Sequence, residues 1–380
     1  MPLSETIAKD PPYKLLALDG GGIRGVMTLQ ILCEMQQMLQ DALRRDDSFV
    51  LADYFDYIAG TSTGAIIATF LSLGWRAERI LAFYVEAGPA MFDKAHILRR
   101  FRYKFEDEKL AEMLRAQMGG DTLLGSDRLR TLLMLVLRNA STDSPWPISN
   151  NPNAKYNQPE LPDSNLKLPL WQLVRASTAA PTFFPPETIQ VGDRPFVFVD
   201  GGVTMYNNPA FQLFLMATLA PYRLCWPVGQ EKMLLVSIGT GSAADANEDL
   251  APGRMNVLYN ASSIPSALMF AAANEQDLLC RVFGETRCGA ELDGEVGHLK
   301  SPVDPFPAGR LPWPVQPKLF TYLRYNAELS PKGLADLGVG HIAPEHVQQL
   351  DSVQHIGELR QVGSAVAAKH LRAADFAGFL

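Results

Sequence analysis

Cysteine and histidine are scarce in this sequence. Among 380 residues there are four cysteines and six histidines, and no two cysteines form a CxxC pair. Disulfide-stabilised folds and the common zinc modules need several such residues at short, regular spacing. The composition therefore argues against a disulfide framework and against a zinc site.

Long apolar runs and an excess of positive charge are also missing. The longest nearly apolar run, around residues 210–220, is far shorter than the ~20 residues that a membrane span needs. The first fourteen residues carry charges around prolines and lack the apolar segment of a signal peptide. With 34 basic and 41 acidic residues the net charge is −7, which disfavours binding to nucleic acid. We therefore expect a cytoplasmic protein with no nucleic-acid partner.

Predicted strands and helices alternate along most of the chain. This alternation predicts an α/β fold in which helices cover a mostly parallel sheet. The predicted strands are 14–18, 54–59, 131–137, 196–199, 233–238 and 318–325, and the predicted helices are 25–40, 65–73, 168–176, 210–219 and, as one or two helices, 345–371.

Two proline-rich segments interrupt the alternation. Residues 143–162 contain five prolines and four asparagines, and residues 301–317 contain six prolines. The first is predicted as a long loop, of a length that can close over a cleft as a lid. The second is predicted as an extended linker or surface strap.

The first chemically informative segment is Asp19–Gly25, with the sequence DGGGIRG between a predicted strand and a predicted helix. Backbone N–H groups at the start of a helix lack partners, and the helix dipole adds positive potential there. Glycine lets this backbone approach a ligand closely. The segment is therefore predicted to hold negative charge, either a phosphate or a transient oxyanion.

Gly20, Gly22 and Gly25 also satisfy the G-x-G-x-x-G pattern of dinucleotide-binding folds. That pattern requires an acidic residue about 20 positions on, at the end of a second strand. Asp41, Asp46 and Asp47 lie in roughly that range, but they follow a helix in a polar run. The sequence therefore gives NAD binding little support.

The second segment is Gly60-Thr61-Ser62-Thr63-Gly64, between an apolar strand and an apolar helix. G-x-S-x-G in this context is the nucleophile elbow, a sharp turn that exposes a serine hydroxyl for attack. The alternative is a glycine-rich turn in which Ser62 caps the following helix.

The third segment is Asp200-Gly201-Gly202, directly after the predicted strand 196–199. Ligands of parallel sheets bind at the carboxyl ends of strands, so Asp200 is expected to face the same crevice as Ser62. There it can serve as the general base for the serine. The alternative is a turn aspartate that bonds to its own backbone.

Together these segments resemble the patatin-like phospholipase family, whose pattern is D-G-G-G-x-R/K-G, G-x-S-x-G and D-G-G/A in this order. The resemblance covers about residues 13–245 and implies a three-layer α/β/α sandwich with a central, mostly parallel sheet. It implies a catalytic domain at 13–245 and an extension at 246–380, a strand plus helices packed on the same domain, with a regulatory or oligomeric role left open. Further segments that resemble family blocks are 175–186, 206–209 and 237–241.

The resemblance also implies a role for each matching residue, in a reaction that needs no metal and no cofactor. Ser62 is the expected nucleophile, Asp200 its base, Gly20, Gly21 and Gly22 the oxyanion hole, Arg24 and Gly25 the loop-orienting or phosphate-contacting residues, and Gly60 and Gly64 the elbow glycines.

A Ser…Asp…His triad is the competing arrangement, because α/β-hydrolases carry these residues in that order. His298, His341 and His346 follow Asp200 in the chain. None lies in a recognisable loop motif, and the second glycine after Asp200 favours the dyad.

The implied function is a serine lipid acyl hydrolase of the phospholipase A or lysophospholipase type, acting on a phospholipid or another acyl lipid. Residues 97–105 mix basic and apolar side chains, a composition that could lie against the inner face of a membrane as a peripheral contact. The alternative, which the pattern favours, is a solvated helix or loop whose aromatic side chains fill the core. Two alternative functions stay open: a nucleotide or phosphate binder without hydrolysis, and an effector phospholipase activated by a nucleotide second messenger. Assembly into a homo-oligomer also stays open.

Overall fold

A computed structural model describes residues 3–92, 107–181, 184–242, 257–293, 295–299 and 317–380. The basic and apolar segment 97–105 and most of the proline-rich segment 301–317 lie outside the described residues. Within the described part of the chain, no helix combines the length and the apolar character that crossing a bilayer requires.

The described residues form nine strands and eleven α-helices. The strands are β1 Tyr13–Leu18, β2 Tyr57–Thr61, β3 Leu132–Asn139, β4 Ser144–Ser149, β5 Glu187–Val191, β6 Arg194–Asp200, β7 Met233–Ile238, β8 Glu285–Cys288 and β9 Thr321–Tyr325. The helices are α1 Leu3–Ala8, α2 Gly25–Ala42, α3 Thr63–Ser72, α4 Ala77–Phe92, α5 Asp107–Met118, α6 Leu170–Ser177, α7 Ala210–Thr218, α8 Val257–Phe283, α9 Pro331–Asp336, α10 Pro344–Gln348 and α11 Ile356–His370.

All nine strands belong to one mixed sheet, in the order β5-β6-β3-β2-β1-β7-β9-β8 with β4 paired to β3. The central pairs β3-β2-β1-β7-β9-β8 are parallel, and β4, β5 and β6 form the antiparallel pairs. Both faces are covered: Leu16 and Leu18 pack in one apolar cluster with α2, α3 and α4, whereas Leu15 and Ala17 pack in a second cluster with α7. The α/β/α sandwich predicted from the sequence is confirmed.

The register around β3 determines where the functional segments meet. One edge of β3 pairs with β4 along residues 134–139 of β3. The other edge is shared by two strands: β2 pairs with residues 132–136, and β6 pairs with residues 137–139. Thr61 pairs with Val136, and Asp200 pairs with Leu137, the next residue of β3. The ends of β2 and β6 therefore lie beside each other, although their residues are far apart in the chain.

The prediction of a continuous loop over 143–162 is wrong, because its first part is β4. The prolines are tolerated because, among the described strands, β4 pairs with β3 alone. The N–H groups that proline lacks are therefore not needed for hydrogen bonds to a second neighbouring strand. The lid hypothesis is wrong as well. β4 runs antiparallel to β3 and leads to Asn150, which bonds to the backbone of Thr131 and Leu133 at the amino end of β3, away from the end of β2.

The predicted strand 54–59 begins three residues late, at Tyr57. A 3-10 turn occupies Leu51–Asp53, and Asp56 accepts the Lys14 N–H at 2.7 Å and pairs with Lys9. The 3-10 turn and these tertiary contacts occupy the residues before Tyr57, where pairing with β1 begins.

Two described strands after residue 245, β8 and β9, belong to the same sheet. β9 pairs with β7, β8 pairs with β9, and α11 packs against α2. The division at residue 245 stays a prediction, because strands on both sides of it hydrogen-bond to each other.

Candidate active site

Ser62 lies in a sharp turn between β2 and α3, with φ 55° and ψ −123°. This conformation is rare for a residue with a side chain and costs backbone strain. The two flanking glycines are required by close backbone contacts: a Cβ at Gly60 would lie 2.0 Å from the Gly64 carbonyl oxygen, and a Cβ at Gly64 would lie 2.3 Å from the Leu18 carbonyl oxygen. The geometry is that of a nucleophile elbow.

The structure brings Ser62 and Asp200 together. The Ser62 hydroxyl donates to Asp200 Oδ2 at 2.6 Å, and the Gly202 N–H donates to Asp200 Oδ1 at 2.6 Å. Ser62 is 9% exposed and Asp200 is 4% exposed. Asp200 is the last residue of β6, which is antiparallel to β3, whereas the sequence predicted a parallel strand. Asp200 still reaches Ser62, because β6 ends beside the end of β2.

Burial raises the pKa of Asp200 to about 6, while the hydrogen bonds from Ser62 and Gly202 lower it. The carboxyl group is therefore predominantly ionised at neutral pH and is a stronger base than an ordinary aspartate. A hydroxyl donor 2.6 Å away gives such a base a proton to accept.

Ser177, at the end of α6, hydrogen-bonds to the backbone of the elbow. Its hydroxyl accepts the Ser62 N–H at 3.0 Å and donates to the Val136 carbonyl at 2.7 Å. Sequence reasoning gave this serine no role, although it lies in the family-like segment 175–186. Its contribution depends on the end of α6 meeting β3, which no spacing in the sequence indicates.

The glycine segment lies beside the elbow, since a Cβ at Gly20 would be 3.2 Å from the Cβ of Ser62. The expectation that Gly20 offers an oxyanion donor is wrong here, because its N–H donates to the Asn207 carbonyl at 3.1 Å. Among the described residues, the N–H groups of Gly21 and Gly22 have no acceptor. The Thr240 hydroxyl donates to the Gly20 carbonyl at 2.8 Å and so fixes the position of the segment.

Gly22 has φ 59°, and a Cβ there would lie 2.3 Å from the Leu350 carbonyl oxygen. The next N–H, of Ile23, donates to that same oxygen at 3.0 Å. The residues after the glycines are therefore held by the C-terminal part of the chain.

Arg24 turns toward the same C-terminal segment, where its Nη1 donates to the Gln348 carbonyl at 3.3 Å. Burial lowers the pKa of Arg24 to about 10, with Asp19 opposing the change, so it stays cationic at neutral pH. Gly25 begins α2, and a Cβ there would lie 2.5 Å from Thr63 Oγ1. This geometry favours loop orientation for both residues.

Asp19, the first residue of the glycine segment, forms a buried ion pair with Arg324 of β9. The guanidinium donates to both carboxylate oxygens, at 2.9 and 2.6 Å, and also to the Ser237 hydroxyl. Both charged side chains are 5% exposed. The glycine segment is thus fixed by a cation from the C-terminal extension.

We expect Arg324→Met to lower the free energy of unfolding by about 3–5 kcal/mol, because it leaves the Asp19 carboxylate buried without its cation. Urea denaturation followed by circular dichroism measures the change. Arg138→Met is the matched control: Arg138 pairs with Asp143 at the surface, and its loss should cost about 1 kcal/mol or less. Equal costs for the two variants would contradict the buried-pair argument, and Asp19→Asn added to Arg324→Met should restore part of the loss.

The candidate triad histidines lie elsewhere. His341 bonds to Gln361, His346 bonds to Glu358, and His298 is exposed. Among the described residues, none of these three side chains hydrogen-bonds to Ser62 or Asp200. Their positions leave the serine and the aspartate as a pair.

Comparison with known proteins agrees with this geometry. Residues 16–214 match the model of the Patatin family, patatin-like phospholipase. Patatin-like protein 4 of Arabidopsis thaliana is 32% identical over 62% of this chain and 62% of its own length. Patatin-like protein 2 of Oryza sativa subsp. indica is 30% identical over 68% of this chain and 69% of its own length. The chain thus spans somewhat less than two thirds of the first relative.

Among solved structures, VipD from Legionella pneumophila is similar with 15% sequence identity and a TM-score of 0.41, over 95% of this chain and 67% of that one. The type III effector protein ExoU is 12% identical with a TM-score of 0.25, over 70% of this chain and 54% of that one.

Proposed function

Because the chain belongs to the patatin-like phospholipase family, we propose that it is a serine lipid acyl hydrolase that cleaves acyl esters of membrane lipids through Ser62 and Asp200. The observation that carries this proposal is the 2.6 Å hydrogen bond from the Ser62 hydroxyl to Asp200 Oδ2 in a buried elbow. A nucleophile within hydrogen-bond reach of a base is the arrangement that acyl transfer needs.

In the proposed reaction, Asp200 takes the Ser62 proton as the serine oxygen attacks the ester carbonyl. The tetrahedral intermediate collapses, the alcohol of the lipid leaves with that proton, and an acyl-serine remains. Asp200 then activates a water molecule, which releases the fatty acid and restores the serine. Its raised pKa, about 6, suits a group that must accept and return a proton near neutral pH.

We propose the N–H groups of Gly21 and Gly22 as the oxyanion donors. Both lack a protein acceptor among the described residues, and the segment is fixed by the Asp19–Arg324 pair and by Thr240. Donors held in place before the reaction need no reorganisation when charge develops, and each is typically worth on the order of 10²–10³ in turnover. The first amides of α3 add positive potential beside the same serine.

The proposed substrate is a phospholipid or lysophospholipid at a membrane surface, which the protein approaches from the cytoplasm as a peripheral enzyme. The support is the family membership.

The proposal is tested by incubating the protein with vesicles of defined phospholipids and identifying the products by mass spectrometry. We expect free fatty acid and the matching lysophospholipid in equal amounts. Protein with Ser62→Ala should form neither product. A nucleotide-binding protein without hydrolysis would give no products, would be stabilised by NAD or ATP, and would behave the same with Ser62→Ala.

A further inference from the structure

Two histidines and a glutamate meet in the C-terminal segment that also contacts Ile23 and Arg24. His346 lies within α10, His355 lies in a 3-10 turn at Val353–His355, and Glu358 lies in the first turn of α11. Glu358 Oε2 lies 2.9 Å from His346 Nδ1 and 3.0 Å from His355 Nδ1. The spacing of these residues matches no zinc motif, which is why the sequence argued against a zinc site.

The donor set is suited to a divalent transition metal. One oxygen and two imidazole nitrogens lie within 4.8 Å of one another, and two histidines with one glutamate form a known ligand set for Zn²⁺. Zn–N and Zn–O bonds of about 2.0–2.2 Å hold donor atoms about 3.5 Å apart in a tetrahedral site, close to the distances found here.

The imidazole rings of His346 and His355 lie against each other, beside Glu358. They stack with centroids 3.7 Å apart and planes inclined by 15°, so that both Nδ1 atoms approach the same carboxylate oxygen. A metal requires each ring to turn until its lone pair points at the ion. The side chains of His346 and His355 are 37% and 27% exposed, which leaves room for that rotation and for water as a fourth ligand.

We propose that His346, His355 and Glu358 form a Zn²⁺ site that holds the C-terminal segment against the glycine segment. Between the two histidines lie Gln348, whose carbonyl accepts from Arg24, and Leu350, whose carbonyl accepts the Ile23 N–H. A metal that joins residues 346 and 355 closes this stretch into a short loop. The carbonyls that support the glycine segment lose freedom when the ion binds.

The metal site is independent of the proposed function, because its first test measures binding alone. Full-length protein is stripped with EDTA, dialysed and titrated with ZnCl2 by calorimetry, and bound zinc is quantified by mass spectrometry. We expect one Zn²⁺ per chain. His346→Gln, His355→Gln and Glu358→Gln should each weaken binding by about 100-fold or more, beyond the roughly 10–100-fold that loss of an outer-sphere partner costs.

His341→Gln is the matched control, because His341 lies nearby but bonds to Gln361. It should bind zinc like the unchanged protein. Co²⁺ titration of the unchanged protein provides a second measurement that does not depend on any variant folding, since a tetrahedral nitrogen and oxygen site gives intense visible absorption bands. Absence of a stoichiometric zinc site, absence of these bands, or equal binding by all four variants would overturn the proposal.

The connection to the glycine segment is tested by hydrogen exchange. Zinc should slow exchange of the Ile23 N–H, which donates to Leu350, by at least about tenfold, and it should leave the Tyr13 N–H, which donates to Lys232, unchanged. His355→Gln should remove the effect. If zinc binds at the three residues and Ile23 exchange does not change, the metal site stands and its support of the glycine segment is refuted.

Discussion

Ser62→Ala is expected to reduce ester hydrolysis by about 10⁶-fold, to the limit of detection, because loss of the nucleophile has an effect of this size in a serine hydrolase such as subtilisin. The change removes the only oxygen that donates to Asp200 Oδ2 among the described side chains. Initial rates on a chromogenic short-chain ester and on phospholipid vesicles measure the effect.

The control for this variant is Ser48→Ala. Ser48 is exposed and bonds to Asp46, so its loss should leave both rates unchanged. A fluorophosphonate probe gives a second measurement: it should label the unchanged protein and Ser48→Ala, and not Ser62→Ala. Retained labelling or turnover in Ser62→Ala would assign the nucleophile to another residue.

Asp200→Asn is expected to lower kcat/KM by about 10²–10⁴-fold, the usual contribution of a general base, and to make the folded protein more stable at pH 8. Burial raises the pKa of Asp200 from the ordinary 3.8 to about 6. That difference corresponds to about 3 kcal/mol against the charged form in the folded state. An amide of the same shape carries no charge and avoids this cost.

The pH dependence follows from the sign of this change. Because the pKa is higher in the folded than in the unfolded protein, the folded state binds the proton more tightly, and the contribution of Asp200 to the free energy of unfolding falls as the pH rises from about 4 to about 6. The stability gain of Asp200→Asn should therefore be greatest above pH 6 and should shrink toward pH 4. In the unchanged enzyme, kcat/KM should fall about tenfold per pH unit below about 6, because the base becomes protonated.

Urea denaturation at pH 4 and pH 8 measures the first effect, and a pH–rate profile measures the second. Asp193→Asn is the matched control, since Asp193 is exposed in the turn between β5 and β6 and should change neither quantity. An Asp200→Asn variant that is inactive and also less stable at pH 8 would mean that the carboxylate supports the fold more than it strains it.

The sequence by itself determined the layered α/β architecture, and it singled out Ser62 and Asp200, whose side chains the structure brings into contact. Apolar runs of strand length alternate with helical periodicity, and this pattern specifies layers without any long-range information. The elbow at 60–64 and the turn at 200–202 were recognisable as short glycine-containing motifs, although the contacts that leave no room for a Cβ at Gly64 and Gly201 come from Leu18 and Val136, far away in the chain. The strand at 54–59 was displaced only where Asp56 forms contacts with Lys9 and Lys14.

The tertiary structure alone decided which partners those residues have. The Gly20 N–H donates to the Asn207 carbonyl, and the Ser62 N–H donates to the Ser177 hydroxyl. Asp19 pairs with Arg324, which lies 305 positions further along the chain. These contacts depend on which strands become neighbours in the sheet, and an ion pair leaves no periodic signal in the sequence because its members are joined only by the packing. His346 likewise reaches Glu358 only through the packing of α10 against α11.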